Sequence, residues 1–257
     1  MSEKNVPVLE VKDLGIDFGG LTAVNEFSLQ VFDQEIVGLI GPNGAGKTTV
    51  FNMLTKVYSP SRGSISFLGK DTAKMSVVEM NKAGVARTFQ NIRLFSNLSV
   101  IDNVKIGMHN KITYSNLDAI FRLPRFYAQE KEVNEKAMEL LKIFELDDDA
   151  ELIAGNLPYG AQRRLEIARA LASEPKLLLL DEPAAGMNPQ ETAELMDMIR
   201  SVRDHFKIAV LLIEHDMKLV MGICERIVVL NYGMMLAEGT PAEIQSNPQV
   251  IKAYLGE

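Results

Sequence analysis

The first thirty-odd residues alternate between apolar and polar positions in a way that predicts antiparallel strands. Gly19 and Gly20 supply a turn between the first two candidates, and residues 36–40 then form a continuous apolar run. Such a run is typical of a strand that is buried on both faces of a parallel sheet. The alternating apolar positions are Leu9, Val11, Leu14, Ile16 and Phe18, followed by Phe27, Leu29 and Val31.

Helical spacing begins a few residues after this run. Apolar residues recur at intervals of three and four, which predicts a helix from about Lys47 to Tyr58. Pro60 and Gly63 end that helix, and residues 64–68 predict one more strand. The apolar residues of the helix are Val50, Met53, Leu54 and Val57.

From about residue 91 to residue 157 the pattern is mostly helical. Ser99 and Asp102 form a capping-type start of one helix, and a second is expected from about Phe126 to Phe144. A third begins near Gly160 and continues to about residue 172. Helical sequence between two strand-rich stretches predicts an inserted helical subdomain.

The last third of the chain alternates between strand and helix patterns. A helix from about Pro189 to Val202 joins the first two of three apolar runs. This alternation predicts a parallel sheet with right-handed connections. Thr240 followed by Pro241 predicts the start of another helix. The three strand candidates are Leu177–Leu180, Ile208–Ile213 and Ile227–Leu230.

Composition narrows the class of protein. The 257 residues are 47% hydrophobic and 24% charged, which is typical of a soluble globular protein. The formal net charge of −7 disfavours nucleic acid as a primary ligand. Cys224 is the only cysteine, so no internal disulfide is expected. Neither a secretory signal nor a membrane-spanning run is evident, and any membrane role is therefore expected to come through a partner.

A glycine-rich loop follows the apolar run at 36–40 and matches the pattern G-x-x-x-x-G-K-[ST]. Its glycines let backbone N–H groups point at phosphates, and the following helix adds its positive end. Lys47 is expected to reach the β- and γ-phosphates of ATP, and the Thr48 hydroxyl to bind Mg²⁺. A chance glycine-rich turn is the alternative. The predicted nucleotide-binding residues are Gly41, Pro42, Asn43, Gly44, Ala45, Gly46, Lys47, Thr48 and Thr49.

These elements predict an α/β protein of the P-loop NTPase type, with a mixed sheet. It would carry an N-terminal antiparallel β subdomain and the inserted α-helical subdomain. We expect a single nucleotide-binding domain over residues 1–257, with residues 1–90 and 158–257 as its catalytic core and about 91–157 as the helical subdomain.

Polar residues stand where two of the later strand candidates end. Asp181 closes the run at 177–180 and is expected to hold Mg²⁺, while Glu182 orients or deprotonates the attacking water. His215 follows the run at 208–213, where it could contact the γ-phosphate. A structural acidic turn and a structural histidine are the alternatives. His109 and His205 are expected to be surface or packing residues.

Together these motifs resemble the nucleotide-binding domain of ABC transporters over essentially the entire chain. The most specific element is LPYGAQRR at 157–164, ahead of IARAL at 167–171, which resembles the family's LSGGQ segment. In the family this loop covers the γ-phosphate of ATP held by a second subunit. Pro158 and Ala161 depart from the usual serine and glutamine. The contact is therefore expected from the backbone N–H groups of Gly160, Ala161 and Gln162.

Other roles follow only from the resemblance. Phe18 is expected to stack on adenine, although a core phenylalanine is nearly as plausible. Gln90 resembles the glutamine that reaches Mg²⁺ or water, and an ordinary loop glutamine is the alternative. Leu94 and Phe95 are candidates for docking a membrane subunit, and a place in the core of the helical subdomain is the equal alternative. Asn188 stands where the family's D-loop commonly has aspartate.

A finer resemblance is to the ATP-binding subunits of branched-chain amino-acid importers. It rests on LPYGAQRRLEIARALA, DEPAAGMNP, LLIEHDM and EGTPAEIQSNPQVIKAYLG. It implies a second ATPase subunit, identical or different, integral membrane permease subunits and, indirectly, an extracytoplasmic solute-binding protein, with the chain on the cytoplasmic face. Lipopolysaccharide-export and urea- or amide-import ATPases, a soluble ABC-type ATPase and a metabolic P-loop kinase are the alternatives.

Overall fold

The computed structural model describes residues 6–255, and the chain divides into two compact units. One unit contains the chain up to Gln90 and from Lys176 onward, and the other is Asn91–Pro175. Residues 158–175 group with the second unit, whereas the sequence prediction began the second part of the core at residue 158 and let the last helix of the helical subdomain continue to about residue 172. The reason is that helix α6, Tyr159–Leu171, packs against helix α3, Val100–Gly107.

An antiparallel sheet of four strands forms from the N-terminal region in the order β2-β1-β4-β5. Gly19 and Gly20 make the predicted turn, and Phe18 pairs with Leu21 across it. The alternating residues of β1 and β2 bury one face, including Leu14, Val24 and Phe27. The strands are β1 (Leu9–Phe18), β2 (Leu21–Val31), β4 (Arg62–Phe67) and β5 (Lys70–Asp71).

The six-stranded sheet has the order β10-β9-β3-β8-β7-β6 and is parallel except for β10. Every residue of β3, β7 and β8 is buried, as the continuous apolar runs predicted. The predicted α/β class with a mixed set of sheets is confirmed. The strands are β3 (Ile36–Ile40), β6 (Val85–Arg87), β7 (Leu177–Asp181), β8 (Ala209–Ile213), β9 (Arg226–Asn231) and β10 (Met234–Gly239).

Six helices belong to this first unit among the described residues. The first ends at Leu54 rather than Tyr58, because Lys56 takes a left-handed conformation with φ 61° and Val57 is left 53% exposed. Thr240 caps α9 in a reciprocal capping box with Glu243, as its sequence predicted. The helices are α1 (Lys47–Leu54), α2 (Val77–Ala83), α7 (Pro189–Phe206), α8 (Met217–Ile223), α9 (Pro241–Ser246) and α10 (Pro248–Leu255).

The second unit is helical. The Ser99 hydroxyl accepts the Asp102 N–H at 3.2 Å and caps α3, as expected. Gly107 is required where α3 meets α6, because a Cβ there would lie 2.3 Å from the Arg169 carbonyl oxygen. The helices are α3, α4 (Asn116–Ile120), α5 (Pro124–Ile143) and α6, with 3₁₀ turns at His109–Lys111 and Ala154–Asn156.

Within residues 6–255, none of the helices combines the length and the apolar character that crossing a membrane requires. His109 and His205 are exposed, as predicted.

Candidate nucleotide-binding site

The phosphate loop connects the end of β3 to the start of α1. Gly41 has φ 153°, and a Cβ there would lie 2.0 Å from the Leu230 carbonyl oxygen, so only glycine fits. Gly46 is the N-cap residue of α1 and has φ 103°. The loop therefore curls as its sequence demands and delivers backbone N–H groups to the N-terminus of a helix, which is a site for anions.

Lys47 is buried along the inner side of this loop, with only 8% of its surface exposed. Its ammonium donates to the carbonyl oxygens of Gly41 at 2.7 Å and Pro42 at 3.0 Å. Burial lowers the pKa of the Lys47 ammonium, and the negative charges of Glu182 and Asp181 oppose that shift. The lysine and the acid pair are thus close enough to act on one another, as the predicted site requires.

A cavity of about 440 Å³ opens on this face of the loop. It is lined by loop residues 43–49, by Leu21, Thr22 and Ala23 of β2, and by Glu182 and Tyr232. Phe18 is outside this lining, and its ring packs edge-to-face on Tyr58 with centroids 5.3 Å apart. The stacking role of Phe18 stays a prediction.

Glu182, Gln90 and His215 meet beside the cavity. Gln90 Nε2 donates to Glu182 Oε2 at 2.7 Å, and His215 Nδ1 lies 3.6 Å from Glu182 Oε1. The parallel order of the strands explains this convergence, because the carboxyl ends of β6, β7 and β8 lie at one edge of the sheet. The three residues predicted from separate motifs therefore form one group.

Glu214 holds the turn next to this group and was missed in the sequence. It is 1% exposed, and its carboxylate accepts the backbone N–H groups of Ala184, His215 and Asp216 at 2.8, 3.0 and 3.2 Å. A charged residue directly after the apolar run at 208–213 was the feature that could have indicated it. Glu214 fixes both the backbone after Glu182 and the position of His215.

Arg87 was also missed in the sequence. It forms an ion pair with Asp181, the first acid of the pair. Arg87 Nη2 donates to Asp181 Oδ2 at 2.7 Å, and the two side chains are 8% and 6% exposed. Arg87 lies three residues before Gln90 in the sequence RTFQ, but nothing in the local pattern connects it with a residue 94 positions away. Asp181 is therefore the acid of a buried ion pair.

The donor set fits Mg²⁺. Thr48, at the cavity, and Asp181 offer oxygen ligands, which Mg²⁺ prefers. Within residues 6–255 no group of three or more His, Cys, Asp or Glu side chains could hold a metal on its own. Mg²⁺ is usually held by one or two side chains together with phosphates and water, and Thr48 and Asp181 are the two predicted for that role.

The segment that resembles LSGGQ begins α6. Pro158 is its N-cap residue, and the Gln162 N–H donates to the Pro158 carbonyl at 2.9 Å. The Gln162 N–H therefore forms a hydrogen bond within the helix. This corrects the expectation that it is one of three N–H groups that contact the γ-phosphate. Gly160 and Ala161 occupy the first turn, where helix geometry provides no intrahelical acceptor for N–H groups.

A second cavity, of about 490 Å³, lies on another side of the phosphate loop. Residues 42–45 and Tyr232 line it together with Gln249 and Lys252 of α10. Tyr254, on the same helix, reaches the first residue of the loop. Burial raises the pKa of the Tyr254 phenol, while a hydrogen bond with the Gly41 backbone opposes that shift.

Comparison with known proteins agrees with this geometry. The sequence model of the family described as "ABC transporter" matches residues 24–185, and that of "Branched-chain amino acid ATP-binding cassette transporter" matches residues 235–257. The ADP conformation of MJ1267, an ATP-binding cassette of an ABC transporter, has a TM-score of 0.85 at 29% identity and covers 98% of this chain and 100% of its own. Fold, phosphate loop and family match define the class of protein: an ATP-binding cassette of an ABC transporter.

Relatives that match over the full length identify the family within this class. The high-affinity branched-chain amino acid transport ATP-binding protein BraF of Pseudomonas aeruginosa is 48% identical over 251 residues, 98% of each chain. LivG of Escherichia coli (strain K12), which carries the same description, is also 48% identical over 98% of each chain. The chain belongs to this family of branched-chain amino acid transport ATP-binding proteins, and it is an ATPase that couples ATP hydrolysis to transport.

Proposed function

We propose that this chain energises an importer of branched-chain amino acids by binding Mg-ATP at residues 41–49 and hydrolysing it with Glu182. The observation that carries the proposal is the meeting of Gln90, Glu182 and His215 beside the cavity lined by the phosphate loop. An attacking water needs a carboxylate and oriented polar groups beside the γ-phosphate, and this group offers both.

The substrate class is supported by the relatives at 48% identity and by the C-terminal match at 235–257. Within the same class of ATPase, the alternative transported substrates are lipopolysaccharide, which is exported, and urea or amides, which are imported. The match that favours branched-chain amino acids covers a segment outside the general ABC transporter match, which ends at 185.

Residues of this chain bind the phosphates and activate the attacking water. The backbone of the loop and Lys47 bind the β- and γ-phosphates, with the lysine leaving its loop carbonyls to do so. Glu182 receives or orients the proton of the attacking water, while Gln90 and His215 hold that carboxylate in place. Thr48, Asp181 and, by its predicted reach, Gln90 would hold Mg²⁺, which would neutralise part of the phosphate charge.

A second ATPase subunit, identical or different, completes the site in this proposal. Its Gly160 and Ala161 N–H groups cover the γ-phosphate at the start of α6, where a helix N-terminus favours negative charge. ATP then favours the closed pair, and hydrolysis releases it. This hypothesis predicts dimerisation of the Glu182→Gln variant with ATP, and a strictly monomeric ATP-loaded variant would refute it.

Membrane attachment is proposed through permease subunits on the cytoplasmic face, with Leu94 and Phe95 as candidate contacts. Phe95 is 49% exposed, which fits a docking residue. A solute-binding protein would act from the opposite side of the membrane, and nucleic acid is not an expected partner.

Reconstitution tests the function as a whole. The complex purified through this subunit should contain an integral membrane protein and, in vesicles loaded with Mg-ATP on the ATPase side, should transport leucine, isoleucine or valine when the binding protein is added. Transport of urea instead, or purification with nucleic acid and no membrane protein, would overturn the proposal. A complex carrying Glu182→Gln is the matched control and should bind ATP without transporting.

A further inference from the structure

One buried arginine joins the phosphate-loop helix to the first acid of the pair. Arg87, the last residue of β6, donates from Nη2 to Asp181 Oδ2 at 2.7 Å. Its Nη1 donates to Asn52 Oδ1 on α1 at 2.8 Å. Arg87 is thus bonded to both elements that carry the proposed metal-binding residues, α1 with Thr48 and β7 with Asp181.

Aromatic rings fix the plane of this guanidinium. Its central carbon lies 5.5 Å from the ring centroid of Phe51 and 5.2 Å from that of Phe89. Such contacts attract a cation and restrict its orientation. Arg87 Nε is buried without a hydrogen-bond partner. An unsatisfied buried donor costs free energy, so stability alone does not account for an arginine at this position.

Because of the strand register, one short segment, residues 87–90, contacts two consecutive acids, Asp181 and Glu182. Arg87 stands beside Leu179 in the parallel pair of β6 and β7, and the Thr88 N–H continues the pairing to the Leu179 carbonyl at 3.0 Å. Three residues after Arg87, Gln90 donates to Glu182. Residues 87–90 therefore hold Asp181 with one end and Glu182 with the other.

We propose that Arg87 is a positioning residue that holds Asp181 Oδ2 and leaves Oδ1 as the oxygen available to Mg²⁺. The inference rests on the proposed Mg-ATP function. Within the described chain, Asp181 Oδ2 is engaged by Arg87 and no hydrogen bond engages Oδ1. The arginine also prevents the carboxylate from turning toward the Lys47 ammonium, on which the charge of Asp181 already acts.

Removing the guanidinium should change metal binding before it changes nucleotide binding. In Arg87→Met, Asp181 loses the group that fixes it and pairs with Lys47 instead. Loss of a residue that orients a metal ligand typically lowers metal affinity by about 10–100-fold. The lysine and loop backbone that bind the phosphates remain, so ATP binding in EDTA should change by less than about threefold.

The experiment is a Mg²⁺ titration of ATP binding in the Glu182→Gln background, where hydrolysis does not interfere, with Mn²⁺ electron paramagnetic resonance as a second readout. Arg87→Met should raise the half-saturating metal concentration at least about tenfold. Arg87→Lys, which keeps a cation able to bond one carboxylate oxygen, should restore most of the difference. The smaller shift that remains in Arg87→Lys tests the inference if the methionine variant does not fold.

Arg226→Met is the matched control for lost stability. Arg226 forms a half-buried ion pair with Glu35 at 2.8 Å in the same unit, outside the site. It should lower the unfolding midpoint and leave the metal midpoint unchanged. In an Asp181→Asn background, Arg87→Met should add no further shift in metal affinity, because the arginine acts through that carboxylate.

An unchanged metal midpoint in Arg87→Met would overturn the inference, and so would an equal shift in the Asp181→Asn background. ATP binding by the parent Glu182→Gln protein that does not depend on Mg²⁺ at all would instead refute the proposed metal site. The two failures are therefore distinguishable.

Discussion

Gln90 and Glu182 are joined side chain to side chain, with Gln90 Nε2 donating to Glu182 Oε2 at 2.7 Å. Gln90 is also the last residue before the chain leaves the first structural unit, which resumes at Lys176. The residue at which the first segment of that unit ends thus holds the acid proposed to activate water.

Glu182→Gln should retain ATP binding and lose hydrolysis. The amide keeps the shape of the side chain but cannot accept a proton, and general-base catalysis contributes typically about 10²–10⁴-fold. Steady-state phosphate release and equilibrium ATP binding measure the two effects. Turnover above about a tenth of the parent rate would show that Glu182 is not the base.

Gln90→Ala should lower kcat about tenfold with little change in KM, because it removes one hydrogen bond that orients Glu182. Gln30→Ala is the matched control: Gln30 Nε2 donates to Glu10 Oε1 at 3.0 Å on the antiparallel sheet. Its turnover should equal that of the parent protein. Equal losses in both variants would mean that Gln90 acts only on stability.

Gly107→Ala should destabilise the protein by about 1–3 kcal/mol, because the added Cβ would lie 2.3 Å from the backbone oxygen of Arg169. In Gly222→Ala the new Cβ meets only the flexible end of Met196, and helix propensity offsets the cost. Denaturant midpoints should separate the two variants. A Gly107→Ala protein as stable as the Gly222→Ala protein would contradict the close approach of α3 and α6.

Cys224 should resist alkylation in the folded protein. Burial, helped by the charges of Glu225 and Glu214, raises the pKa of its thiol from 9.0 to about 12. At pH 8 the thiolate fraction then falls about a thousandfold, and the rate of reaction with iodoacetamide should fall with it. Unfolding in denaturant should restore the ordinary rate.

The same shift predicts a direction for stability. Since the folded-state pKa of Cys224 is the higher one, its contribution is fully present below pH 9 and is lost as the pH rises toward 12. Denaturation curves at pH 8 and pH 10 should show a smaller loss in Cys224→Ala than in the parent protein.

Buried strands and the phosphate loop could be predicted because their patterns are local. The run at 36–40, the glycines that follow it and the acid pair at 181–182 each carry their own pattern, and parallel strand order brings them together. Helix ends were less certain, since apolar spacing continued through Val57 while the backbone of Lys56 had already ended α1.

The partners of the acids could not be predicted in the same way. Arg87 and Asp181 are 94 positions apart, and only the pairing of β6 with β7 makes them neighbours. The prediction for the Gln162 N–H failed for a different reason. This N–H could bind a phosphate only if α6 began at least one residue later, and the sequence does not define the start of a helix that closely.

The contact between Tyr254 and Gly41 has a practical consequence for anyone preparing this protein. An affinity tag fused to the C-terminus would be tethered close to the phenol that touches the nucleotide loop. The nucleotide affinity of such a preparation should therefore be compared with that of the untagged protein before it is used as a reference.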